Sequence, residues 1–193
     1  MTAIIKYNAG NTASVKNALN RLGCESIITD NREALLAADR VIFPGVGEAS
    51  SAMYYLRNKG LHILIPELKQ PVLGVCLGLQ LMCATSEEGD TQCLGIFDTR
   101  VRLFPPDDIV PHIGWNNPTN MKSMLFDGVE PDSDFYFVHS YYAEICPETI
   151  AVCDYIIPFA AAINKGNFYA TQFHPEKSAS AGEKILKNFL QTL

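Results

Sequence analysis

No C-x-x-C pair occurs among the six cysteines, Cys24, Cys76, Cys83, Cys93, Cys146 and Cys153, and most of them sit inside apolar runs. That spacing argues against a zinc site and a disulfide framework and suits reduced thiols; neither a metal nor a cofactor is expected. No apolar run reaches membrane-spanning length, and Met1 to Lys6 reads as a strand rather than a signal peptide, so the expected location is cytoplasmic. Basic residues are the minority, 15 Lys and Arg against 21 Asp and Glu, and a net charge of -6 removes any electrostatic reason to expect nucleic acid or an anionic membrane as partner. Internal repeats and low-complexity linkers are missing too. The 193 residues are therefore expected to form one domain, 1–193.

What is there is globular: 48% hydrophobic residues with 19% charged, in a chain long enough to bury a core. A strand at Ala3 to Tyr7 leads through a turn, Asn8-Ala9-Gly10-Asn11, into a helix carrying Val15, Ala18, Leu19 and Leu22 at i, i+3, i+4 and i+7, with Asn11 as cap and Gly23 as stop. Ser26 to Ile28 and Arg40 to Phe43 read as strands around a short helix, Glu33 to Ala38. Helices are expected from Ala49 to Lys59 and from Leu61 to Leu68. The alternation predicts an α/β fold with an open, mostly parallel central sheet flanked by helices. Further on, a strand from Phe97 to Phe104, an aromatic strand from Phe135 to Tyr142, and short strands at 150–154, 159–163 and 168–172 imply an antiparallel portion. A terminal helix buries Ala181, Ile185, Leu186, Phe189, Leu190 and Leu193.

The chemistry centres on Pro71-Val72-Leu73-Gly74-Val75-Cys76-Leu77-Gly78-Leu79-Gln80. An apolar strand runs into Gly-Val-Cys-Leu-Gly and leaves as a helix, a junction whose glycines let neighbouring backbone approach closely. At its apex the thiol of Cys76 lies beside the free amides of a helix start, which favour the nucleophilic thiolate, and the Leu77 amide is placed to hold an oxyanion. A buried cysteine in a Gly-flanked strand is the competing reading. Pro44-Gly45-Val46-Gly47 follows another strand end, where ligands sit in parallel sheets.

A cysteine acyl-transfer site needs a base and a group to orient it. Of the four histidines, His62 falls in a helix-like segment, His112 in a loop without a nearby carboxylate, and His139 in a strand where a bond to backbone is the usual outcome. His174 ends a strand, is followed by Pro175, and has Glu176 two residues on, able to accept from the imidazole. Cys76, His174 and Glu176 are the expected catalytic residues. Trp115, the only tryptophan, lies in a Gly- and Asn-rich stretch where packing is slightly favoured over an exposed anchor.

With Gly-Val-Cys-Leu-Gly-Leu-Gln at 74–80, His-Pro-Glu-Lys-Ser at 174–178 and Pro-Gly-Val-Gly at 44–47, the chain resembles the class I (triad) glutamine amidotransferases over nearly its whole length. The resemblance implies that Cys76 attacks the side-chain amide of glutamine, with His174 moving the proton and Glu176 orienting it. It further implies that the Gly47 and Leu77 amides hold the oxyanion, that Gln80 and Glu88 position the substrate, and that the Ser140-Tyr141 backbone receives the α-carboxylate.

Three stretches, 7–11, 112–116 and 135–141, are similar to the branch of that family whose glutaminase feeds ammonia to a separate (β/α)8-barrel cyclase subunit in histidine biosynthesis. That branch usually has Asp and Gly around the early Tyr where this chain has Lys6 and Asn8. Asn11, Trp115 and Lys177 are the expected contacts with the cyclase. A glutaminase serving another synthase, such as that of pyridoxal phosphate, would share the triad but not Gly114-Trp115-Asn116, and an intact triad argues against a silent regulatory module.

Overall fold

The alternation expected of the first half is present in the computed structural model, which describes residues 1–8 and 11–191. In order come β1 (Thr2–Ile5), α1 (Thr12–Arg21), β2 (Ser26–Thr29), α2 (Arg32–Ala37), β3 (Arg40–Phe43), α3 (Ala49–Asn58), α4 (Leu61–Glu67), β4 (Val72–Val75) and α5 (Leu77–Met82). Asn11 caps α1 as expected, its side-chain oxygen accepting from the Ser14 amide. Two residues of the expected turn, Ala9 and Gly10, and Leu193 of the terminal helix lie outside the described residues.

The second half is built of shorter strands: β5 (Thr85–Ser86), β6 (Thr91–Gln92), β7 (Arg100–Leu103), β8 (His112–Asn116), β9 (Phe135–His139), β10 (Tyr141–Ala143), β11 (Thr149–Tyr155), β12 (Ile157–Lys165) and β13 (Phe168–Thr171), closed by α6 (Ala179–Gln191). The main sheet has seven strands in the order β11-β12-β13-β4-β3-β1-β2. From β13 to β2 every pairing is parallel, and β12 and β11 add antiparallel strands at one edge. The expected fold class is therefore present, with two smaller sheets, β10-β7-β5-β6 and β8-β9, added to it.

The central strands are buried on both faces because side chains alternate across a strand. Ile4, Ile42, Leu73 and Val75 join Val15, Leu19 and Phe189 in one apolar cluster. Ala3, Ile5, Val41, Phe43 and Val72 join Leu56, Leu64 and Leu79 in the other. Among the described residues no helix is long and apolar enough to cross a membrane.

Four local expectations are corrected. The strand expected over 97–104 is confined to Arg100–Leu103. The aromatic strand expected over 135–142 is two strands, β9 and β10, broken at Ser140 because they pair with different partners, β8 and β7. His112 lies in a strand rather than a loop. Trp115 is 55% exposed rather than packed, since the alternation of β8 turns His112 inward and Ile113 and Trp115 outward.

Candidate active site

At the β4–α5 junction Cys76 adopts φ 52 and ψ -106, a conformation that ordinarily costs a non-glycine residue about 1–3 kcal/mol and persists only where the surroundings impose it. They do so through backbone contact. A Cβ on Gly78 would lie 2.0 Å from the carbonyl oxygen of Phe43, and one on Gly45 would lie 2.5 Å from the amide nitrogen of Gly78. The segment 43–47 thus rests directly on the first turn of α5, which brings Gly47 to the same cleft as Cys76. Beneath it the buried hydroxyl of Tyr7 donates to the carbonyl of Pro44.

The imidazole comes from the end of β13. The His174 amide donates to Tyr136 O at 2.9 Å, and the Ser178 hydroxyl donates to His174 O at 2.6 Å, fixing a tight turn over Pro175–Lys177. That turn folds Glu176 back so that its Oε1 lies 2.8 Å from His174 Nδ1, with both side chains almost fully buried at 1% and 2% exposure. Nδ1 being committed to the carboxylate, Nε2 is the free nitrogen, and it makes no closed hydrogen bond. Burial disfavours the charged imidazole, but the Cys76 sulfur and the Glu176 carboxylate more than offset it and push His174 up to about 10. A buried cation between a sulfur and a carboxylate is the charge pattern of an activated thiol.

A cleft of about 310 Å³ opens above Cys76 and is lined by Gly47, Leu77, Gln80, Glu88, Ser140 and Tyr141, the residues expected to hold substrate. Gln80 is 4% exposed; its Nε2 donates to Tyr141 O at 2.8 Å and to Gln172 Oε1 at 3.1 Å. Glu88 reaches the cleft wall while its Oε2 accepts from the Ala49 amide at 2.7 Å, so one oxygen is already occupied in starting α3. Burial raises the Glu88 carboxyl, that amide lowers it, and the charge of Glu48 raises it further.

A larger groove of about 490 Å³ lies against the 175–177 turn, lined by Trp115, Glu176 and Lys177 among others, so Glu176 borders this groove while Cys76 borders the cleft. Trp115 packs edge-on to Tyr136 with ring centroids 5.9 Å apart, and Lys177 Nζ stands 5.7 Å from the centroid of the same ring. Trp115 and Lys177 are thus brought together; the hydrogen bonds of Asn11 go instead to Ser14 within its own helix.

Two features escaped the sequence reading. Gln172, fully buried, donates from Nε2 to Cys76 Sγ at 3.5 Å. Its position two residues before His174, on the same side of an extended segment, was the available signal. The other is the pairing of His112 with His139, whose ring nitrogens lie 3.1 Å apart. Nothing in their separation of 27 residues announces it.

Residues 3–193 match the family model for "Glutamine amidotransferase class-I". The chain belongs to the class-I glutamine amidotransferases, and its activity is that of a glutaminase of this type. It is 59% identical over 192 residues to the imidazole glycerol phosphate synthase subunit HisH of Bacteroides fragilis (strain YCH46), covering 98% of each chain. It is also 44% identical over 196 residues to the HisH subunit of Vibrio cholerae, covering 97% of each. Within the amidotransferases it therefore falls among the HisH-type glutaminase subunits of imidazole glycerol phosphate synthase. The solved structure of PurLQS from Thermotoga maritima shares the fold, with a TM-score of 0.74 at 15% identity over 99% of this chain and 97% of that one.

Proposed function

We propose that Cys76, His174 and Glu176 act as a catalytic triad in one domain that releases ammonia from glutamine for a separate cyclase subunit. The Cys76 thiolate attacks the side-chain carbonyl carbon of glutamine, and the amides of Gly47 and Leu77 face the oxygen that becomes negative. His174, protonated and oriented by Glu176, gives its proton to the departing nitrogen. The C–N bond breaks, ammonia leaves and a thioester remains on Cys76. Water then attacks the thioester with His174 as base, releasing glutamate and the thiolate.

In this reading the Ser140-Tyr141 backbone receives the substrate α-carboxylate, and Gln80 and Glu88 position the rest, the free Glu88 oxygen accepting from the ammonium. The single observation that carries the proposal is the buried His174–Glu176 pair at 2.8 Å, whose imidazole feels the sulfur of Cys76, a residue held at positive φ.

The partner is a (β/α)8-barrel cyclase in a cytoplasmic heterodimer whose joint reaction is that of a lyase, and Asn11, Trp115 and Lys177 form part of the contact. Support comes from the exposed Trp115 and Lys177, which line the groove that Glu176 borders and both pack against the half-buried ring of Tyr136. Co-purification with the cyclase tests both halves. Cys76→Ala is expected to abolish glutamine-dependent synthesis and leave ammonia-dependent synthesis largely intact, while loss of both would contradict the division of labour.

A further inference from the structure

Two histidines that take no part in the triad sit side by side at the cleft: His139 is part of its wall and His112 stands behind His139. His112 on β8 and His139 on β9 are paired across the strand ladder and are 3% and 6% exposed. The His112 ring is sandwiched between Tyr155, stacked at 4.0 Å, and Phe137, stacked at 5.0 Å. In so apolar a setting burial keeps both rings neutral, driving His112 down to about 4 and His139 to about 3. A neutral imidazole has one donor and one acceptor nitrogen, so its partners dictate which is which.

Here the partners leave no freedom. His139 Nδ1 lies 2.8 Å from the carbonyl oxygen of Tyr141, which only accepts, so Nδ1 carries the proton and Nε2 is the acceptor. His112 Nδ1, 3.1 Å away, must therefore be the donor, and His112 Nε2 is left to accept from Asn116 Nδ2 at 3.4 Å. The same amide group of Asn116 donates to Asp154 O at 3.0 Å, anchoring the far end. The bonds all run one way, from Asn116 through His112 and His139 to Tyr141 O. That oxygen also receives Gln80 Nε2 at 2.8 Å.

We infer that His112 and His139 are positioning residues for glutamine: together with Gln80 they clamp the Tyr141 carbonyl from two sides and so fix the backbone of Ser140 and Tyr141 where it lines the cleft. The inference rests on the assigned glutaminase reading, in which that backbone binds the substrate carboxylate. A clamp of this kind acts on binding rather than on bond breaking, so its loss raises KM with little change in kcat. The other end of the chain of bonds lies on β8, whose opposite face carries the exposed Ile113 and Trp115.

The test separates hydrogen bonding from bulk. His139→Asn places an amide N–H where Nδ1 stood, whereas His139→Gln reaches the Nε2 position and leaves Tyr141 O with Gln80 as its one remaining side-chain donor. In the complex with the cyclase, His139→Gln should have a KM for glutamine about tenfold above that of His139→Asn, the two differing little in kcat. His112→Phe keeps a ring between Phe137 and Tyr155 but cannot donate, and should raise KM several-fold.

Nitrogen-15 spectra of histidine in the wild-type chain should show His139 protonated at Nδ1 and bare at Nε2, a readout that requires neither turnover nor a variant that folds. A proton on Nε2 of His139, or equal KM values for the two position-139 variants, would overturn the inference. A wild-type complex that uses no glutamine would instead count against the assigned activity, while the tautomer measurement still decides the direction of the bonds.

Discussion

The side-chain amide nitrogen of Gln172 stands 3.5 Å from the sulfur of Cys76, and its oxygen accepts from Gln80 at 3.1 Å. Gln172 is thus held in one orientation, donor toward the thiol, by a neighbour that is itself tied to Tyr141. The sulfur of Cys76 thus has a side-chain hydrogen-bond donor in Gln172 in addition to the neighbouring imidazole of His174.

Removing that donor should therefore weaken the nucleophile without dismantling the site. Gln172→Met, similar in volume, is expected to lower kcat by about tenfold to a hundredfold, the range for a hydrogen bond to a charged group. Gln172→Glu should be worse, since a carboxylate facing the sulfur disfavours the thiolate. Steady-state kinetics with glutamine check both, and wild-type rates in either variant would remove Gln172 from the chemistry.

The buried imidazolium also predicts how stability depends on pH. His174 holds its proton to about pH 10 in the folded chain, against an ordinary value near 6.5. Between those values the folded state binds a proton that the unfolded state has lost, so stability falls as pH rises. The contribution is fully present below pH 6.5 and gone once pH passes about 10. Urea unfolding at several pH values across that window should give a shallower decline in His174→Asn than in the wild type; parallel declines would contradict the pairing.

Gly78 tests the contact that builds the elbow. Because an added Cβ would meet Phe43 O at 2.0 Å, Gly78→Ala must push the 43–47 segment away from α5. The expected loss is about 1–3 kcal/mol of stability, measured by denaturant unfolding, together with most of the glutaminase activity, since Gly47 moves with that segment. Gly95→Ala, where φ is +67 but no atom lies within 4 Å of the new methyl, is the contrast: it strains the backbone away from the elbow and should leave glutaminase activity near the wild-type value.

Trp115 tests the proposed contact with the cyclase. An exposed tryptophan packed edge-on against Tyr136 has the character of an interface anchor, and truncating such an anchor commonly removes about 2 kcal/mol or more of binding energy, about a thirtyfold loss of affinity. Trp115→Ala should weaken the complex by about that factor in a titration. Unchanged affinity would move the interface elsewhere.

Much of this architecture was legible from residue order, and the parts that were not share a cause. The β4–Cys76–α5 junction and the His174-Pro175-Glu176 turn are local, each written in a few consecutive residues whose geometry glycine or proline restricts. The N-terminal elements were legible because periodicity and caps such as Asn11 are also local signals. What escaped depends on contacts distant in sequence. The break at Ser140 arises because β9 pairs with β8 while β10 pairs with β7, and the outward turn of Trp115 depends on which face of β8 the His112–His139 pair occupies. Gln172 and the two neutral histidines acquire meaning only once the strands that carry them are side by side.

Which sulfur carries the glutamyl group decides whether Cys76 is the nucleophile. The complex should be treated with a chloroketone shaped like glutamine, its modified peptides mapped by mass spectrometry, and its remaining glutaminase activity followed in parallel. One equivalent on Cys76, none on the other five cysteines, and activity lost in step with labelling are predicted. Label on the partly exposed Cys24 or Cys146 with Cys76 untouched, or full activity in a chain labelled at Cys76, would contradict it.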